Sequence, residues 1–273
     1  MDRFFSRLQV ADQTNQTWSS LIMSLAAIPI PGPIKNIFTT FPLTTYDPEN
    51  IKDVALENEL DRKTYVFENA KNDVTSQNSF TLLIKEKPIT WKQSPVYICM
   101  DPIELFLQLS LCHKNEITLP LSHQNHEQKN TQSQKMMVVD RPNLPSLIVN
   151  NQMIYKDKLL SNLRLRFVGI QAQLAQLLDT DLYPFFENRP LTPNDLKRAK
   201  QTLLQFTKFV ESNGYDENTL DYLDMKLTSY ILTLLYSIKV SQDIKQFIKE
   251  KCPKLKIMAI TTLKKLNPKL QPY

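Results

Sequence analysis

LPSLIVNNQMIYKDK, residues 144–158, decides the fold. An apolar residue followed by Pro145 opens a short strand, SLIV. Asn150-Asn151 then supplies a two-residue turn, because asparagine tolerates the left-handed backbone that such turns require. QMIYK reads as the returning strand, and the charged residues after it start a helix.

Upstream, PVYICM (95–100) is a continuous apolar run of the kind expected for a buried strand. DPIELFLQLSLCHKN (101–115) is a helix, with Asp101 as N-cap, Pro102 at the first helical position and Glu104 placed to complete a capping box. It is apolar nearly all round and should lie between layers. EITLPL (116–121) reads as the next strand and MMVVD (136–140) as a short one, on either side of the polar tract SHQNHEQKNTQSQK (122–135). Before them, residues 51–60 read as a short helix. KTYVFEN and FTLLIKE read as strands joined by the polar loop AKNDVTSQNS, and KPITWKQSP is a turn-rich connector.

After residue 157 the pattern is helical, over about 157–178, 193–213, 218–238 and 241–266. The sequence thus predicts an α/β unit of βαβ…ββα order followed by an all-helical unit. This resembles the glutathione transferase-like plan, a thioredoxin-like domain with a helical C-terminal domain. The expected division is an extension and docking strap over 1–60, a thioredoxin-like domain over 61–160 and a helical domain over 161–273.

That plan implies a ligand corner with three parts. A proline before the third core strand pairs backbone with a peptide ligand. An acid–serine pair after the hairpin holds a γ-glutamyl group. A Ser, Tyr or Cys near the first strand activates a thiol. Pro145 fits the first part. The second part is replaced by Tyr155-Lys156-Asp157-Lys158, with no serine after an acid. At the third, Asp101 stands where enzymes of the plan place Ser or Cys, and a carboxylate raises the pKa of a neighbouring thiol. Asp101, Pro145, Lys156 and Asp157 therefore read as a degenerate ligand corner. No catalytic residue, cofactor or small-molecule substrate is expected.

Composition excludes other classes. The chain has 273 residues and only three glycines, Gly32, Gly169 and Gly214, too scattered for a phosphate loop or a dinucleotide fingerprint. Net charge is +5, with pI about 8.9 and mean hydropathy −0.33. That balance suits an anionic neighbour without the concentrated basicity of a nucleic-acid binder. Cys99, Cys112 and Cys252 show no CxxC spacing and fit a reducing compartment. His123-x-x-His126 lies in the polar tract without a matching cysteine pair, so no metal site is expected. Lys245, Lys249, Lys251, Lys254, Lys256, Lys264, Lys265 and Lys269 read either as a solvated helix face or as a surface for anionic lipid or an acidic partner.

The N-terminal region carries two apolar features. TWSSLIMSLAAI (17–28) places Trp18, Leu21, Ile22, Leu25 and Ile28 on one helical stripe, which must meet its own core, a partner or lipid. The run ends at Pro29, short of the roughly 20 residues of a membrane span. Proline-rich sequence then forms an extended strap bearing Phe38, Phe41, Leu43 and Tyr46.

PIKNIFTTFPLTTY (33–46), DPIELFLQLSLCHKNEITLP (101–120) and LPSLIVNN (144–151), in this order, resemble the fungal metaxin-like proteins of the mitochondrial sorting and assembly machinery. YLDMKLTSYILTLL and FIKEKCPKLKIMAITTLKKL look like that family's C-terminal helix pair. The resemblance implies a non-enzymatic peripheral subunit on the cytosolic face of the mitochondrial outer membrane. It would sit beside an Omp85-type barrel subunit and a second metaxin-like subunit, and help receive β-barrel precursor proteins. Trp18, Leu21, Ile22, Leu25, Phe38, Phe41, Leu43 and Tyr46 would be its docking residues. Two rival readings share the fold, a catalytic glutathione transferase and an assembly module of the translation machinery.

Overall fold

The computed structural model describes residues 54–69, 79–91, 96–123, 134–163, 165–187, 189–212, 220–268 and 270. The stripe 17–28 and the strap lie outside them. Residues Val54–Tyr273 cluster as one compact unit.

The expected short helix is α1 (Val54–Lys63), closed by the Thr64 hydroxyl donating to the Leu60 carbonyl at 2.8 Å. The strands are β1 (Thr64–Asn69), β2 (Phe80–Ile84), β3 (Ile89–Thr90) and β4 (Tyr97–Ile98), then α2 (Pro102–Asn115), then β5 (Ile117–His123), β6 (Lys135–Val138), β7 (Ser146–Val149) and β8 (Gln152–Tyr155). Six of them form one sheet in the order β5-β1-β6-β2-β7-β8, while β3 and β4 pair separately. β2 and β6 run parallel, with Leu82 opposite Met136, and the other pairs in the sheet are antiparallel. The crossover β2-α2-β6 followed by the β7–β8 hairpin is the thioredoxin-like order expected from the sequence.

Two assignments within that order are corrected. The first core strand is β2, not the apolar run 95–100, and the second is β6, not EITLPL. Residues 96–100 are largely buried, yet their backbone is served in part by a helix side chain. Gln108 of α2 accepts from the Cys99 N–H at 3.1 Å and donates to the Tyr97 carbonyl at 2.9 Å. An apolar run alone cannot distinguish such a segment from a core strand. EITLPL becomes the edge strand β5, where Pro120 is tolerated because no outer strand needs its missing N–H. The register between β1 and β5 slips around that proline, from Val66 opposite Ser122 to Glu68 opposite Thr118.

The hairpin is as expected. Asn150 and Asn151 have φ of 50° and 63°, the left-handed pair that matches the twist of the flanking strands.

The helical part is more broken than its periodicity suggests. The expected helix 157–178 divides into α3 (Lys156–Asn162) and α4 (Ile170–Leu177), the second starting after Gly169 at φ 60°. A wide π turn (Leu178–Leu182) and a 3₁₀ turn (Tyr183–Phe185) follow. Then come α5 (Pro193–Ser212), α6 (Tyr222–Tyr236), α7 (Gln242–Lys251) and α8 (Pro253–Leu266). Pro253 is the first residue of α8, so the single helix expected over 241–266 breaks at Cys252. A proline cannot donate to the preceding turn and instead begins a new helix.

Layers meet at α2 and α6. α6 begins at a capping box formed by Asp221 and Asp224 and is buried from Met225 to Leu235. Its hydroxyl residues bond inward, Ser229 to the Lys226 carbonyl and Thr233 to the Ser229 carbonyl, both at 2.7 Å. Trp91, ahead of α2, stands edge-on to Tyr236 of α6 with ring centroids 4.7 Å apart. The C-terminal lysines do not form one solvated face, because Lys245 is buried. No helix among the described residues is long and apolar enough to cross a membrane.

Candidate functional site

The peptide bond between Leu144 and Pro145 is cis, and Pro145 is buried where β7 begins. Opposite it, Asp101 caps α2, accepting from the N–H groups of Ile103 at 2.9 Å and Glu104 at 3.1 Å. Asp101 and Pro145 line one cavity of about 270 Å³, together with Glu104, Tyr183 and Lys239. Of the four residues expected at the corner, Asp101 and Pro145 line this cavity. Lys156 and Asp157 open α3 directly after β8, and Tyr155, exposed at its N-cap position, offers no side-chain cap. The docking residues from Trp18 to Tyr46 lie outside the described residues.

The chemistry of the corner opposes thiol activation. Cys99 is fully buried, and its Sγ lies 3.4 Å from the Met136 sulfur. Burial, then the carboxylates of Glu104 and Asp101, push its thiol well above the ordinary range. Burial pushes Cys112 and Cys252 upward too. Tyr183, the phenol on the cavity wall, is raised to about 12, chiefly by desolvation and next by Asp101. Neither a thiolate nor a phenolate is favoured at neutral pH in this corner. All three cysteines are buried, so a colourimetric disulfide reagent should find about no reactive thiol in minutes under native conditions and all three in denaturant. Rapid native labelling of Cys99 would refute this picture.

Glu104 departs from the sequence expectation. It does not close a capping box. Its Oε1 accepts from the Lys85 N–H at 2.7 Å and the Glu86 backbone N–H also favours the carboxylate, while its Oε2 has no partner of hydrogen-bond geometry among the described residues. The residue is 2% exposed, and burial raises its carboxyl to about 8. An acid inside the largely apolar PIELFLQL was a visible signal. Tyr183, Glu187 and Lys239 reach the cavity from distant segments that local patterns do not connect.

A second cavity, also about 270 Å³, lies between Phe106 of α2 and Leu160 of α3. Its polar wall is a cluster that ties the π turn to α6. Asp179 accepts from Lys226 at 2.6 Å and from the Tyr230 hydroxyl at 2.7 Å, and the ammonium lies 5.4 Å from the Phe167 ring centre. The ordering of this cluster within the helical layer accounts for a buried lysine. Among the described residues no cluster of His, Cys, Asp or Glu could hold a metal ion.

Residues 28–148 match the model of a family described as SAM35, subunit of the SAM complex. The chain is 29% identical over 175 residues to the sorting assembly machinery 35 kDa subunit of Saccharomyces cerevisiae. The alignment covers 58% of this chain and 52% of that protein, so the chain spans about half the length of the curated relative it matches. The resemblance read from the strap, the α2 segment and the start of the hairpin is borne out by these matches. A solved structure, glutathione transferase Omega 3C from Trametes versicolor, aligns with 69% of this chain and 90% of its own, at 10% identity and a TM-score of 0.36.

Proposed function

We propose that this chain is a non-enzymatic peripheral subunit of the mitochondrial outer-membrane sorting and assembly machinery, lying on the cytosolic face. Its partners are an Omp85-type barrel subunit and a second metaxin-like subunit, and its task is to help receive β-barrel precursors and support their insertion. The observation that carries this reading is the family match over residues 28–148. That stretch includes the strap as well as α2 and the start of the hairpin, so the likeness extends beyond the thioredoxin-like framework. The buried thiols and the raised Tyr183 phenol support a corner without glutathione chemistry.

Phe38, Phe41, Leu43 and Tyr46 are the proposed strap contacts, with Trp18, Leu21, Ile22 and Leu25 as a second docking stripe. Burying one large apolar side chain contributes about 1.5–3 kcal/mol gross, less the entropy of ordering the strap. Replacing Phe41 and Tyr46 together by Ala should therefore weaken assembly by on the order of a hundredfold. The measurement is affinity capture of the tagged chain from mildly solubilised mitochondria, with the barrel quantified in the eluate. Normal recovery of barrel with the double variant sinks the strap assignment. Absence of any barrel with the unmodified chain sinks the assembly reading.

A further inference from the structure

We propose that the corner cavity binds a primary ammonium or guanidinium group, the head of a lysine or arginine side chain. The walls carry four carboxyl groups, Glu86, Asp101, Glu104 and Glu187, against two amines, Lys85 and Lys239. Three of these acids have partners. Glu86 pairs with Lys239, Glu187 with Arg189 at 2.8 Å, and Asp101 caps α2. Glu104 alone combines near-complete burial with an oxygen that has no partner of hydrogen-bond geometry among the described residues. Its Oε1 is fixed by the Lys85 N–H, so the carboxyl plane is set before any ligand arrives. A volume of about 270 Å³ falls at the low end for ligand sites, suited to one side chain rather than a cofactor. The inference rests on this geometry and holds whether or not the chain is an assembly subunit.

Charge selects the ligand. An anion would meet an excess of carboxylates. Glutathione, which carries two carboxylates and one ammonium, is disfavoured for that reason. A cation gains a charge-assisted hydrogen bond to Glu104 and a second carboxylate at Asp101. The groups facing Glu104 are Lys85 and Glu86 after β2, Asp101 at the head of α2, Tyr183 and Glu187 from the turn region, and Lys239 after α6. With burial holding the Glu104 carboxyl protonated at neutral pH, an arriving cation should drive that proton into solvent. Binding is then coupled to proton release, whereas a ligand that merely accepts a hydrogen bond from the protonated acid releases none.

The test is titration calorimetry of the full chain with Nα-acetyl-lysine methylamide, Nα-acetyl-arginine methylamide and putrescine, each in two buffers of different ionisation enthalpy. The expected result is binding of a blocked basic residue, tighter than putrescine, with proton release that vanishes in Glu104→Gln. That variant should bind about tenfold more weakly or worse. Lys239→Ala removes a competing amine at the mouth and should bind several-fold more tightly, with folding of both variants checked by thermal melts. No binding of either blocked residue, binding of putrescine alone, equal affinity in Glu104→Gln, or tighter binding of glutathione or Nα-acetyl-glutamate methylamide would each overturn the proposal.

Discussion

Raising the pH from 5 to 8 is expected to lower the stability of this chain, and Glu104→Gln is expected to remove most of that loss. Unfolded, Glu104 ionises near its ordinary 4.5, whereas in the fold it holds its proton until about 8. Between those values the native state binds more protons than the unfolded state, so the unfolding free energy falls as pH rises. At about 1.4 kcal/mol per pH unit the full interval from 4.5 to about 8 corresponds to on the order of 5 kcal/mol. Asp224, raised by burial, acts in the same direction. Asp195 does not interfere. The Thr192 N–H, Arg189 and Arg198 hold it well below its ordinary 3.8, so its contribution is complete above that value and is lost only in stronger acid. Urea unfolding at pH 5, 6.5 and 8, for wild type and Glu104→Gln, measures the difference. Parallel pH profiles for the two proteins would show that Glu104 is not protonated in the fold.

Leu109→Ala should cost about 2–5 kcal/mol, and the loss should appear equally in both parts of the molecule. Leu109 is fully buried in the middle of α2. The helix lies in the β2-α2-β6 crossover and shares a hydrophobic core with α6, so a cavity there removes support from two layers at once. Far-ultraviolet circular dichroism reports mainly the helices, and fluorescence of Trp91, read in a Trp18→Phe background, reports the contact with Tyr236. Coincident denaturation curves from the two probes, shifted together by the substitution, are the expected outcome. A shift confined to one probe would mean that the layers unfold separately.

The residues differ in how openly they declared these features. Asn150-Asn151 named their turn because few residues adopt two consecutive left-handed conformations at low cost. Asp101-Pro102 named the start of α2 for a similarly local reason. The βαβ order was also legible, although its strands were misassigned. PVYICM is the more apolar of PVYICM and FTLLIKE, yet FTLLIKE supplies the core strand, and the Gln108 side chain reveals that PVYICM is held by the helix. Gly169 and Pro253 marked the breaks in the helical region, but periodicity over the flanking residues outweighed them. The corner was half legible. Asp101 and Pro145 were found from local order, whereas the role of Glu104 depends on burial and on Lys85, set by tertiary packing.

The ion pair between Lys239 and Glu86 closes a span of 153 residues. The burial of α2 beneath α6 joins segments almost as far apart. During synthesis, therefore, the apolar α2 emerges more than a hundred residues before its cover. At ribosomal speeds of about 5–20 residues per second, that interval is on the order of ten seconds. Throughout it the nascent chain exposes a surface meant for its interior, and it cannot settle domain by domain from the N-terminus. The apolar face of α2 should therefore need cover until residue 236 has emerged, and truncation before that residue should leave a product that does not fold.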